Sequence, residues 1–223
     1  MRRAASIAGF MLGAAICALS PRCAVNPHPA TQPAAIEYPG ILVAPSTVPG
    51  DFLARQEVVA RYRETRVRFE SVFQKRGDEL TLLGLTPFGT RAFLLQQEGT
   101  AVTFTSYVDR TLPFPPRYIL FDIHRALFVG LGPGPLADGA HESSRDGEVI
   151  RERWKGGRII ERTFRREPGP PSGSITITCK DGMVFGVPPP VLELRNGWFG
   201  YDLTITTRTY EALTPSSNAP DDQ

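Results

Sequence analysis

From about residue 52 to residue 210 the chain alternates apolar and polar side chains with a period of two. Val67, Phe69 and Phe73 fall on one face, while Arg66, Arg68 and Glu70 fall on the other. Val102 and Phe104 alternate with Thr103 and Thr105. The same holds for Ile175, Ile177 and Cys179 against Thr176 and Thr178, and for Leu203 and Ile205 against Asp202, Thr204 and Thr206. This period marks strands with one buried and one solvated face. Between them lie Arg76-Gly77-Asp78, Pro87-Phe88-Gly89, Glu98-Gly99, Lys155-Gly156-Gly157, Lys180-Asp181-Gly182 and Asn196-Gly197. Short Gly-containing links of this kind join antiparallel hairpins. The spacing predicts about ten strands, enough for a barrel or a strongly curved sheet.

One segment breaks the alternation. Prolines at 113, 115 and 116 precede an apolar run to Leu131, and glycines follow at 130, 132 and 134. Proline at the start and glycine past the end is the favoured order for a helix. Leu120, Ile123, Leu127 and Leu131 recur at helical spacing, and Ile119, Phe121, Ala126 and Phe128 widen the apolar surface nearly all round. Such a helix needs apolar neighbours on several sides, so it is expected against the concave face of the sheet.

Outside the alternating region the composition changes. Residues 1–22 read as an export signal, with Arg2 and Arg3 ahead of an uncharged apolar stretch from Ala4 to Leu19. Residues 23–50 are rich in proline and read as an extended tether. Residues 51–213 form the domain, and 214–223 read as a disordered tail. The formal charge of +2 includes Arg2, Arg3 and Arg22. Without the signal, 22 basic residues face 23 acidic ones, so the basis for a nucleic-acid partner disappears.

Three cysteines are present. Cys17 lies inside the apolar stretch, Cys23 just after it, and Cys179 on an expected strand. A cysteine at the place of Cys23 is the arrangement of a bacterial lipoprotein, whose processed N-terminal cysteine carries acyl chains; here Pro21 and Arg22 precede it instead of small residues. Acylation at Cys23, plain secretion and an uncleaved anchor are the three outcomes. With acylation, Cys179 is a buried small hydrophobe; with secretion, a Cys23–Cys179 disulfide is the rival.

Signals for catalysis or metal binding are weak. Asp122 and His124 are two apart on the expected helix and so do not face one another. Three scattered histidines carry no zinc signature. His141, Ser143, Ser144 and Asp146 fall together in what reads as a polar loop without a nucleophile elbow. Gly130 to Gly134 follow a helix, the reverse of a phosphate-cradling loop. No catalytic residue, metal or cofactor is expected. The basic residues of 151–167 are interleaved with Glu152, Glu161 and Glu167, as on a solvated hairpin face, although arginines near a lipid-binding mouth would suit phosphate.

The turn at 86–89 poses a separate question. Pro87 and Gly89 are ordinary turn formers, but Phe88 places a large aromatic at a tip. It either folds back on the sheet or projects. Burying one Phe in lipid yields roughly 1.5–3 kcal/mol, which suits transient contact better than anchoring. On the inner face, Phe69, Phe73, Leu82, Phe93, Leu95, Phe104, Leu120 and Leu127 would line either an apolar cavity or a filled core.

The run LTLLGLTPFGTRAFLLQQEGTAVTF followed by LPFPPRYILFDIHRALFVGLGPG resembles the outer-membrane lipoprotein receptor LolB and its soluble relative LolA. It is most similar to the LolB-like DUF3261 lipoprotein group, over roughly Gln56 to Tyr210. The resemblance implies an open half-barrel of antiparallel strands with a helical lid, around a cavity that takes acyl chains. It also puts Phe88, between Pro87 and Gly89, in the place of a protruding residue that touches the membrane. The function it implies is a monomeric protein, anchored through Cys23 at the periplasmic face of the outer membrane or soluble in the periplasm. It would bind acyl chains or lipidated cargo for transfer to or placement in that membrane's inner leaflet. The alternative is a non-catalytic accessory lipoprotein with a filled core, serving an envelope or lipid-biosynthesis assembly. An esterase is the third class, and it would need Ser143 or Ser144 beside His141 in a cleft.

Overall fold

The computed structural model describes residues 38–109 and 115–214. Eleven antiparallel strands form one open sheet: β1 (Asp51–Tyr62), β2 (Thr65–Arg76), β3 (Glu79–Leu85), β4 (Arg91–Glu98), β5 (Ala101–Ser106), β6 (Gly139–Arg145), β7 (Glu148–Lys155), β8 (Arg158–Arg166), β9 (Ser174–Met183), β10 (Val191–Asn196) and β11 (Tyr201–Leu213). Their order is β5-β4-β3-β2-β1-β11-β10-β9-β8-β7-β6, so the first and last strands meet in the middle and the sheet does not close. Each half is a meander of hairpins, because short Gly-containing turns can join only antiparallel neighbours.

Register defines two ends of the sheet. Tyr62 pairs with both Thr65 and Tyr201, and Leu85 pairs with Glu70, so the β1–β2, β3–β4 and β10–β11 turns share one end, here the upper end. The β2–β3 and β4–β5 turns lie at the lower end. Helix α1 (Arg117–Leu127) crosses the concave face. Tyr118, near its start, lies against Phe199 of the β10–β11 turn, with ring centroids 5.5 Å apart. Beyond its end, the Leu127 carbonyl accepts from Gly186 N–H (2.8 Å).

The structure differs from the sequence reading in four places. Lys180-Asp181-Gly182, expected as a turn, lies within β9, where Gly182 takes φ +69° and the pairing with β8 shifts register, so the strand bends without ending. The helix ends at Leu127, short of Leu131, because the N–H groups of Phe128 and Val129 both close on the His124 carbonyl (2.7 Å each) and terminate the ladder. The stretch from His141 to Asp146, read as a polar loop, lies on edge strand β6 as far as Arg145, exposed along nearly its whole length; without a buried face it carries no alternation to read. The chain from Tyr38 to Val48, expected within the tether, is part of the domain. Tyr38, Leu42 and Val48 are buried in the same core as Phe52, Leu80 and Leu95. This strap enters beside Phe199 at the upper end, where the two rings are 4.8 Å apart. It reaches the lower end at Ser46, whose N–H and hydroxyl both donate to Asp78 Oδ1 (3.0 and 2.6 Å).

Candidate functional site

The β3–β4 turn is built to display Phe88. Gly89 N–H donates to the Thr86 carbonyl (2.9 Å), which closes a β-turn with Pro87 and Phe88 in the middle. Proline fixes the first central position, and Gly89 takes φ +76°, which a side chain would oppose. Thr86 locks the base. Its hydroxyl lies 2.7 Å from the Thr90 hydroxyl and accepts from Phe88 and Thr90 N–H (3.3 Å each). Phe88 is 92% exposed, the most exposed large hydrophobic side chain among the described residues. It projects from the turn.

Behind this tip the inner face changes character along the strands. Toward the lower end the inward side chains Phe73, Leu80, Leu82 and Leu95 are buried. Toward the upper end and the β5 edge, inward Val67, Phe69, Phe93 and Phe104 are half-exposed. Three of these form an aromatic row, with centroids 6.0 Å apart from Phe69 to Phe93 and 6.0 Å from Phe93 to Phe104. Gly84 makes the row possible: a Cβ there would lie 2.2 Å from the Phe93 ring. The ring therefore lies flat across β3. The result is an apolar surface, open to solvent, at the end that presents Phe88.

The rest of the concave face is filled by the strap and α1, and buried polar contacts fix both. Asp122 accepts from the hydroxyls of Tyr38 and Tyr201 and from Asn196 Nδ2 (3.1 Å), and lies 3.5 Å from Arg125 Nη1. Burial pushes its carboxyl above the ordinary range, against the pull of Arg125 and these donors. Arg125 donates to the Pro39 carbonyl and to Glu148 (2.6 Å), and lies over the rings of Tyr38 and Trp198. His124 Nδ1 accepts from Val43 N–H of the strap (3.2 Å), so Nε2 carries the proton and donates to Gln97 Oε1 (2.7 Å). Gln97 in turn donates to the Val43 carbonyl (2.9 Å). Burial lowers the His124 pKa to about 4, so the ring is neutral. At the helix end, Arg162 donates to the carbonyls of Arg125 and Ala126 (2.8 and 3.1 Å) and to Glu152 (2.6 Å). A cation there suits the negative pole of the helix.

The residues singled out from sequence are thus distributed over two environments. Phe88 stands free, and Phe69, Phe93 and Phe104 line the open surface. Phe73, Leu82, Leu95, Leu120 and Leu127 are buried, and all five belong to the filled core. Cys23 lies outside the described residues. Cys179 is a free, buried thiol on β9, raised by burial to about 12. Asp122 and His124 anchor structure on different partners. His141 bonds to the Ala137 carbonyl (2.8 Å). Among the described residues no three His, Cys, Asp or Glu side chains are grouped as metal ligands would be. A hollow of about 410 Å³ at the lower end is lined mainly by polar side chains, including Arg76, Asp78, Glu79 and Glu98, and does not suit an acyl chain. Sequence reasoning missed the strap. Its signal was the apolar run Tyr38-Pro39-Gly40-Ile41-Leu42-Val43 inside the proline-rich segment.

None of the curated proteins compared with the chain matches it. Among solved structures, a LolA superfamily protein from Nitrosomonas europaea shares 10% identity at a TM-score of 0.42, covering 74% of this chain and 87% of that one. A domain assigned to outer membrane lipoprotein sorting, from Vibrio parahaemolyticus, shares 13% identity at a TM-score of 0.40, covering 74% of this chain and 86% of that one. The family described as "Protein of unknown function (DUF3261)" matches residues 53–209, most of the chain and nearly the whole sheet, and the protein belongs to that family.

Proposed function

We propose that this protein is a lipid-binding protein of the bacterial envelope. The open apolar surface of Phe69, Phe93 and Phe104 receives acyl chains, free or on a lipidated cargo, and Phe88 touches the inner leaflet of the outer membrane while they pass. The observation that carries this reading is the pairing of a 92% exposed Phe88 with a half-exposed aromatic row at one end of the sheet. An exposed apolar patch of this kind marks an interaction surface. The strap supports it, since Tyr38 enters the domain at that same end. The fifteen residues from Cys23 to Glu37 reach at most roughly 50 Å. An acylated Cys23 would therefore hold the Phe88 end near the bilayer. Binding is reversible burial with no bond chemistry, and the protein acts as a monomer.

Native mass spectrometry tests this on protein from membranes supplemented with phospholipid or an acylated peptide. Bound lipid is expected, and its loss in Phe93→Asp would place it on the aromatic row. Protein that never carries lipid would overturn the reading. One observation favours a second reading, the accessory lipoprotein: Leu42 and Val48 of the strap occupy the inner face where a long chain would lie. That reading predicts unchanged function in Phe93→Asp provided the fold is kept.

A further inference from the structure

The end that carries Phe88 also carries an unusual set of arginines. Arg61, Arg63, Arg66, Arg91 and Arg117 are all exposed. Arg63 sits in the β1–β2 turn, Arg61 and Arg66 flank it, Arg91 opens β4 just after the Phe88 turn, and Arg117 opens α1. Among the described residues none of the five lies within ion-pair distance of a carboxylate. Elsewhere on the surface several arginines find partners among the described residues, while exposed Arg55, Arg151 and Arg158 do not. Arg68 and Arg208 share Glu57 (2.7 Å each), Arg153 meets Glu161 (3.1 Å), and Arg195 takes Asp202 (3.5 Å). That last pair matters because Asp202 is also the cross-strand neighbour of Arg61.

Four of the five placements work against the fold. Arg61 stands directly opposite Arg66 across β1 and β2, and like charges so placed repel. Arg63 holds φ at +53°, a conformation that favours glycine, asparagine or aspartate. Arg117 puts a cation at the positive pole of α1, whose first turn has no acidic residue. Positions that cost the folded protein are expected where a partner recovers the cost. Arg63 and Arg91 also lie over the rings of Tyr62 (5.1 Å) and Tyr107 (6.0 Å), which holds their guanidinium groups along the rim.

We propose that this rim is a docking surface for anionic phospholipid bilayers, with the arginines on headgroup phosphates around the inserted Phe88. The inference rests on the lipid-contact reading above and names the kind of membrane that end meets. Guanidinium matches phosphate in shape and charge and can bond it through two N–H groups. The mature chain is close to neutral overall, so attraction comes from this local concentration of charge and is screened by salt. Each arginine near an anionic surface contributes about fivefold to partitioning.

The test uses exported protein carrying Cys23→Ser, so that no acyl anchor holds it, in co-sedimentation with two vesicle types. One is phosphatidylcholine alone; the other contains phosphatidylglycerol. Preferential, salt-sensitive binding to the second is expected. It should fall roughly twentyfold or more in Arg63→Gln/Arg66→Gln, while Arg153→Gln, distant from the rim, leaves it unchanged. Circular dichroism checks that each variant is folded. Equal binding to both vesicles, abolished by Phe88→Glu, overturns the arginine role and leaves lipid contact standing. Binding that needs the arginines but ignores Phe88→Glu does the reverse. Binding to neither vesicle overturns both, and leaves an acidic protein as the partner of the rim.

Discussion

Acidification should loosen the strap through His124. The neutral ring accepts from Val43 N–H and donates to Gln97, and both partners help hold the strap on the sheet. Protonation places an N–H on Nδ1 facing another N–H and creates a buried cation. Burial lowers the pKa from 6.5 to about 4 in the folded protein. Between those values the unfolded chain binds the proton and the folded one does not, so stability falls as pH falls. The contribution is whole above pH 6.5, declines through the interval and is gone below about 4. The span corresponds to roughly 3 kcal/mol. The assay is urea denaturation at pH 7.5, 6, 5 and 4.5 for the wild type and for His124→Gln, whose amide can accept from Val43 and donate to Gln97. Carboxylates such as Asp122 titrate in both proteins and cancel in the difference. The wild type should lose about 2–3 kcal/mol relative to the variant across the range. A difference that stays flat with pH would show that His124 is not held neutral in the fold and would remove it as the pH-sensitive joint.

Other outcomes follow from the same geometry. Arg162→Met should cost about 3–5 kcal/mol, because Glu152 is left buried without its partner; a second change, Glu152→Gln, should recover part of it in thermal melts. Leu42→Ala should cost about 2–5 kcal/mol, the loss for a core leucine, whereas a mere tether would tolerate it. Gly84→Val should drive Phe93 off β3 and reduce lipid capture in native mass spectrometry. Cys179, with its thiol pushed up to about 12, should resist alkylation in the native protein and react once urea unfolds it.

The sheet was legible in sequence because one of its faces is buried. Val67, Phe69 and Phe73 keep their period of two against Arg66, Arg68 and Glu70, and that contrast survives without coordinates. Strand β6 was illegible for the opposite reason, since both of its faces meet water. The strap was hidden by its prolines, which read as a tether although Pro45 is buried. The projection of Phe88 was one of two open readings, and the turn chemistry around it could not choose. Its 92% exposure decides for projection. The arginine rim was invisible for a further reason. Arg63, Arg91 and Arg117 are far apart in the chain and come to one end of the sheet only because the β1–β2 turn, the β3–β4 turn and the start of α1 all lie there.

The strand order has a consequence for how the chain reaches this state. β1 to β5 form one meander and β6 to β11 another, each assembled from neighbours in sequence. Contacts of that kind close quickly. The two meanders join where β1 meets β11, a pairing that links Asp51 to Leu213. During synthesis the first meander therefore waits with the flank of β1 open until the last thirteen residues of sheet arrive. Exposed flanks of this sort invite pairing with other chains. Delivery of the C-terminal strand thus sets the interval in which the protein is most prone to aggregate.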